Sequence, residues 1–163
     1  LTPTINEQIL EILMKLWSKP SINEKIIKCG IAQTGFSKQI ETQKSKTNIE
    51  FVQGEDIYPY FVSSSNKYYP LHLISREKLK DFVQRKIMIP GLVTNLYCGY
   101  DEKGRACGRV YYITESESPY NLFYLCGLFN SSLFQFDVCC YHSVWYENKK
   151  EFFILKRGKR HCH

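Results

Sequence analysis

The chain has 163 residues, enough for one domain with an appended segment, and 44% of them are hydrophobic, enough for a real core. Its 22 Lys and Arg against 16 Asp and Glu give a net charge of +6, which suits a polyanionic partner without specifying one. No run approaches the ~18 apolar residues of a membrane helix, and no charged-then-apolar start marks a signal peptide; no membrane partner is expected, and a cytoplasmic setting is. Seven cysteines, an odd number, sit partly inside apolar runs, so reduced and buried thiols are expected. The first residue is Leu1, and we read the chain as part of a longer protein.

In chain order, "TINEQILEILMKLW" predicts a helix. Thr4 and Glu7 make a capping-box pattern, Ile5, Ile9, Ile12, Leu13 and Leu16 share a face, and Pro20 ends the run. We assign residues 1–20 to an N-terminal linker helix and 21–163 to the main domain. "EKIIKCGI" predicts a strand, and Gly30 and Gly35 bracket a turn after it. "ETQKSKTN" and "SSSNK" read as polar loops, separated by the short strand and bend of "IEFVQGEDIYPYF". "YYPLHLI" is a further strand candidate. "SREKLKDFVQ" predicts a helix capped by Ser75, with Leu79, Phe82 and Val83 on one face.

"RKIMIP", "TNLYCGY" and "ACGRVYYIT" are three β-rich runs, predicting a meander over about 85–113. The last two are joined by "DEKG", read as a hairpin loop with Gly104 at positive φ. In "SPYNLFYLCGLFNSSLFQF", Ser118 is expected to cap a helix and Pro119 to open it. The polar "NSS" then ends that helix at Asn130 and caps a second at Ser131, giving a packed helical pair. The expected fold is α+β, an antiparallel sheet with long polar loops and this pair against it.

Catalytic motifs are scarce. Cys139, Cys140, His142, His161, Cys162 and His163 lack the spaced pairs of a zinc site, so no metal is expected. Glycine-framed nucleophiles and phosphate-cradling loops are absent. A metal-dependent nuclease built on Asp56 and Asp101 is one alternative, but Asp101 and Gly104 are better explained as turn residues. A second alternative is a protein-docking module whose Tyr-rich face meets another protein; Tyr58, Tyr60, Tyr68 and Tyr69 also interleave with the basic residues of the loops. Basic residues flank nearly every loop, a pattern that can follow a phosphate backbone and reach base edges.

Four motifs in order carry a resemblance. They are Gly30, Ile31, Thr34 and Gly35; Gly54, Asp56, Ile57 and Tyr60; Tyr100 and Asp101; and Leu125, Leu128, Phe129, Asn130 and Ser131. Over residues 25–137 the chain resembles the TaqI-like C-terminal specificity domain, the target-recognition part of adenine-N6 DNA methyltransferases and of fused restriction–modification enzymes. The first motif carries an extra residue, and the tail from Cys139 departs from the strand and Pro-rich segment usual in the family. The resemblance implies a DNA-binding domain of a prokaryotic defence system with no catalytic residue of its own. Double-stranded DNA and the catalytic methyltransferase domain of the same parent chain would be its partners. It implies no cofactor here; S-adenosylmethionine would belong to the parent, whose Asn-Pro-Pro-Tyr motif this chain lacks. The candidate DNA contacts are Lys28, Gln33, Thr34, Lys38, Asn66, Lys67, Arg76, Arg85, Lys86, Asn95 and Arg105.

Overall fold

Every residue of "KIMIP" is buried, which a strand achieves only when both faces of its sheet are covered. That requirement organises the fold. The structure, a computed structural model, describes residues 26–32, 34–91 and 96–134. The expected helix at 1–20, the candidates Gln33 and Asn95, and the chain from 135 onward lie outside them.

Among the described residues nine strands form two sheets. They are β1 (Lys28–Cys29), β2 (Asn48–Val52), β3 (Ile57–Tyr58), β4 (Tyr60–Val62), β5 (Tyr68–Pro70), β6 (Lys86–Pro90), β7 (Gly99–Asp101), β8 (Ala106–Cys107) and β9 (Val110–Thr114). A six-stranded sheet runs β1-β9-β6-β7-β4-β3, and a three-stranded sheet runs β5-β2-β8. Two α-helices, α1 (Arg76–Phe82) and α2 (Leu122–Phe129), and three short 3-10 turns accompany the sheets. The class is α+β. Both sheets are mixed, since β4 runs parallel to β7 and β2 parallel to β8.

Successive side chains of a strand point to opposite faces, so β6 feeds two cores. Met88 joins Phe51, Val52, Tyr69, Phe82, Val110 and Tyr112 between the large sheet, the small sheet and α1. Ile87 and Ile89 join Ile113, Leu122, Leu125, Cys126 and Phe129 beneath α2. The order of layers is therefore α2, the large sheet, then the small sheet with α1.

The sequence reading of α1 holds at its start. The Ser75 hydroxyl accepts the Lys78 N–H at 3.3 Å, satisfying one of the free donors of the first turn. Its expected face is shorter, because Val83 is the C-cap and is exposed. The meander is corrected more deeply. β6 lies between β7 and β9, and those two do not pair. "DEKG" is thus no hairpin: it turns the chain out of the large sheet and into β8 of the small one. Gly104 does have positive φ, at 71°, and an added Cβ would lie 2.5 Å from the Val83 carbonyl oxygen.

Helix α2 begins later than Ser118. Its cap is Asn121, whose Oδ1 accepts from Phe123 N–H at 2.8 Å and Tyr124 N–H at 3.4 Å. The Ser118 hydroxyl closes a local turn by accepting from Tyr120 N–H. The helix starts where its buried positions start: Leu122, Leu125, Cys126 and Phe129 follow the i, i+3, i+4, i+7 spacing of one face.

The "NSS" triplet is both a boundary and a polar contact inside the packing. Asn130 ends α2 at φ −90°, not in the left-handed region. Its carboxamide pairs with the backbone of Cys98 like a strand neighbour, accepting from Cys98 N–H at 3.2 Å and donating to its carbonyl at 2.8 Å. It also donates to the Cys126 carbonyl at 2.8 Å, which accepts the Asn130 backbone N–H at 3.2 Å as well, so the side chain adds a second bond to the last helical turn. Ser131 takes up the expected capping role, its hydroxyl accepting from Phe134 N–H at 3.2 Å. Beyond Phe134 the expected second helix lies outside the described residues.

Candidate nucleic-acid interface

Most residues of the motifs that carry the resemblance turn out to be scaffold, the exposed Thr34 being an exception. Gly30 leaves no room for a side chain, since a Cβ there would stand 2.4 Å from the Cys107 carbonyl oxygen. Asp56 accepts the Gln53 N–H at 2.9 Å and closes a tight turn before β3. Tyr60 holds φ at 74°, unusual for a bulky residue, and is fixed there by its N–H bond to the Cys98 carbonyl at 2.9 Å. Asp101, fully buried, accepts Arg105 N–H at 2.8 Å and Lys103 N–H at 3.3 Å, so it shapes the turn into β8. These residues set the backbone around the polar segments between them.

Those segments converge on one surface. The small sheet turns Ile49, Phe51 and Tyr69 inward; Asn48, Glu50 and Tyr68 occupy the alternate positions. The loop 41–47 leads into β2, the loop 63–67 leads into β5, and the turn 102–105 leads into β8. Between them lies an open groove of about 240 Å³ lined by Lys44, Asn48, Glu50, Tyr68, Lys103 and Arg105, among others. The Glu50 carboxylate is paired with the buried Arg105 at 3.5 Å, so the exposed charges of the groove are those of Lys44 and Lys103, and with an amide and a phenol beside them they suit an anionic polymer carrying hydrogen-bonding edges.

The candidate contacts sort by their surroundings. Thr34, Lys38, Asn66 and Arg76 are exposed, and Asn66 sits at a loop tip with φ 52°. Lys67 borders the same loop but is tied to Glu55 at 2.7 Å and Asp56 at 3.7 Å. The Glu55 bond raises the Lys67 pKa, and the same bond lowers that of Glu55. Lys28 lies on β1, at the edge of the large sheet, between Asp81 at 3.0 Å and Glu117 at 3.3 Å. Partial burial opposes its charge, yet the bonds to those carboxylates together raise its pKa. Arg85 pairs with Glu115 at 3.0 Å.

Two candidates are corrected. Lys86 is 0% exposed, its ammonium bonded to Asp101 at 2.9 Å and to the Phe82 and Gln84 carbonyls at 2.6 and 3.2 Å. Burial pushes its pKa down, and Asp101 offsets part of that. A side chain so enclosed cannot reach a phosphate. Arg105 is 5% exposed and donates to the Val62 and Ser63 carbonyls, so it holds the 63–67 loop against the groove and does not project from it. Asn48 and Lys103 were not among the candidates. Their signal was present only as polarity at alternate strand positions and beside a turn glycine.

Among the described residues no group of three or more His, Cys, Asp or Glu is placed to hold a metal ion, and no helix is long and apolar enough to cross a membrane. Asp56 and Asp101 are both committed to turns.

On the face of the large sheet that α2 covers, an uncharged ledge extends past the helix. Tyr58 stacks on Phe61 at 5.1 Å, Phe61 registers with Tyr100 across β4 and β7, and Tyr100 meets Phe123 at 4.5 Å. Phe123 is 65% exposed, and no charged residue occurs between Pro119 and Phe136.

The mixed-sheet scaffold thus brings polar loops together around a groove that carries two exposed lysines. The TaqI-like C-terminal specificity domain matches residues 49–158, well over half of the chain, and the protein belongs to that family of DNA-recognition domains of restriction–modification systems. Such a domain binds DNA and works in association with a methyltransferase. The match begins after Gly30–Gly35, so the first of the four motifs lies outside it, and it includes most of the tail that departs from the usual pattern. Comparison with curated protein sequences gives no match.

Proposed function

We propose that this domain grips duplex DNA with the outer face of its small sheet and the loops around it, selecting a short sequence for a catalytic domain elsewhere in the parent chain. The observation that carries this reading is the groove in which Lys44, Lys103, Asn48 and Tyr68 stand together. Lys44 and Lys103 are exposed and suit phosphate, while Asn48 and the Asn66 loop suit base edges. The reaction served is adenine-N6 methylation. The target nitrogen is inaccessible in a stacked duplex, so the base must leave the helix for a pocket in the catalytic domain. S-adenosylmethionine belongs to that domain, and this one supplies grip and sequence choice. A restriction endonuclease fused to the same parent fits the family context.

The aromatic ledge supports a second contact. Lacking charge, it is poorly suited to phosphate and well suited to an apolar protein surface, and the catalytic domain is the occupant we assign to it.

Salt dependence tests the DNA face. Each phosphate contact releases counterions, so affinity falls with salt at a log–log slope of about −0.9 per contact. Lys44→Ala and Lys103→Ala should each flatten the slope by about that amount, weaken all duplexes alike and leave Tm within about 1 °C. Fluorescence anisotropy with the 163-residue chain at 20–200 mM salt, values on the order that brackets a contact count, is the measurement. Absence of salt-dependent binding by the unmodified chain would remove this face from consideration.

A further inference from the structure

The sulfurs of Cys98 and Cys126 stand 3.7 Å apart in the core beneath α2, the Cys98 thiol donating to the Cys126 sulfur. One residue precedes β7 and the other lies in α2, 28 positions further along the chain. Asn130 holds both: its amide nitrogen is 3.5 Å from the Cys98 sulfur and 3.6 Å from that of Cys126, while its other bonds fix the Cys98 backbone. We propose that Cys98 and Cys126 are a modification site, a thiol pair that a hydroperoxide converts to a disulfide fastening α2 to the central sheet. Two chain segments held in sulfur contact need only a small closure to reach the roughly 2.0 Å of a bond.

The pair is chemically unequal. The Cys126 sulfur accepts from the Cys98 thiol and from Asn130, and these bonds favour its thiolate, whereas the same contact and burial push Cys98 up. Cys126 is also the more accessible, at 4% exposed. In the first step the Cys126 thiolate attacks one peroxide oxygen, breaking the O–O bond to leave Cys126 sulfenic acid and hydroxide. In the second the Cys98 sulfur loses its proton and attacks the Cys126 sulfur, displacing the sulfenic oxygen as water. Two thiols are oxidised by two electrons, hydrogen peroxide is reduced, and two waters form. Local opening of α2 admits the peroxide.

The consequence is mechanical: the bond would tie α2, which carries Phe123 of the aromatic ledge, to the start of β7 in the large sheet. Unlike the functional reading, this inference does not depend on DNA.

The test is to treat the native chain with a few equivalents of hydrogen peroxide at neutral pH, block free thiols in denaturant, digest without reductant and map peptides by mass spectrometry. The expected result is a Cys98–Cys126 cross-linked peptide two hydrogens lighter than its parts, dispersed by dithiothreitol. The oxidised chain should melt several degrees higher, because a closed loop lowers the entropy of the unfolded state. Cys98→Ser and Cys126→Ser should each abolish both changes. Recovery of Cys98 and Cys126 as blocked thiols, or paired only with other cysteines, would overturn the proposal, as would a cross-linked chain that melts no higher than the reduced one.

Discussion

Phe129→Asp is expected to unfold the domain. Phe129 is buried at the base of α2 with Ile87, Ile113 and Leu125, and its ring meets Phe134 edge-on at 5.0 Å. Losing that burial costs about 2–3 kcal/mol. A carboxylate placed there without a partner adds several kcal/mol more, and the sum rivals the 5–15 kcal/mol of a whole domain, an order-of-magnitude comparison. Circular dichroism during heating should show no cooperative transition. Lys103→Ala, in an exposed turn, should melt with the unmodified chain, within about 0.5 kcal/mol. Equal melting of the Phe129→Asp variant and the unmodified chain would refute the packing of α2.

The second large effect concerns the buried charge. Lys86→Met should destabilise by about 3–5 kcal/mol, because it strands a carboxylate that is itself 0% exposed. Arg105 remains near, its Nε 3.6 Å from Asp101 Oδ1, but that nitrogen makes no hydrogen bond to it. The carbonyls of Phe82 and Gln84 lose their donor as well. Adding Asp101→Asn to Lys86→Met should recover part of the loss, since the amide removes the charge while its oxygen still accepts from Arg105 N–H. Removing one partner is worse than removing the charge of both, and urea titration of the single and double variants measures the difference. A single variant within about 1 kcal/mol of the unmodified chain would contradict the pairing.

The same pair explains why the site was harder to read than the fold. Local chemistry was legible: Ser75 caps α1, Gly104 takes positive φ, and "NSS" breaks the apolar run. Lys86 and Lys103 look alike as lysines near turns. They differ because Lys86 opens a strand covered on both faces and registers opposite Asp101, a fact of pairing that no local window contains. Strand order failed for the same reason. "DEKG" specifies a turn, but the placement of β7 follows from β6 lying at the centre and from β4 pairing along the other edge of β7. Ser118 and Asn121 are both capping residues, and the choice of Asn121 follows from where the buried face of α2 begins. The groove escaped the sequence reading because it gathers Lys44, Tyr68 and Lys103 from three separate stretches.

Mapping methylated adenines across a genome exposed to the full-length parent tests the recognition face most directly. Asn48→Ala and Asn66→Ala replace polar groups of the small sheet and its loops, Thr34→Ala replaces an exposed one in the segment after β1, and Phe123→Ala replaces an aromatic ring on the face of the large sheet that α2 covers. Loss of a base contact should change the preferred sequence by about 1–3 kcal/mol, roughly 5- to 150-fold in site preference. The account predicts such a change for at least one of the first three variants, and for Phe123→Ala a slower rate with the sequence preference intact. A preference unchanged in all three, or one altered by Phe123→Ala alone, would contradict it.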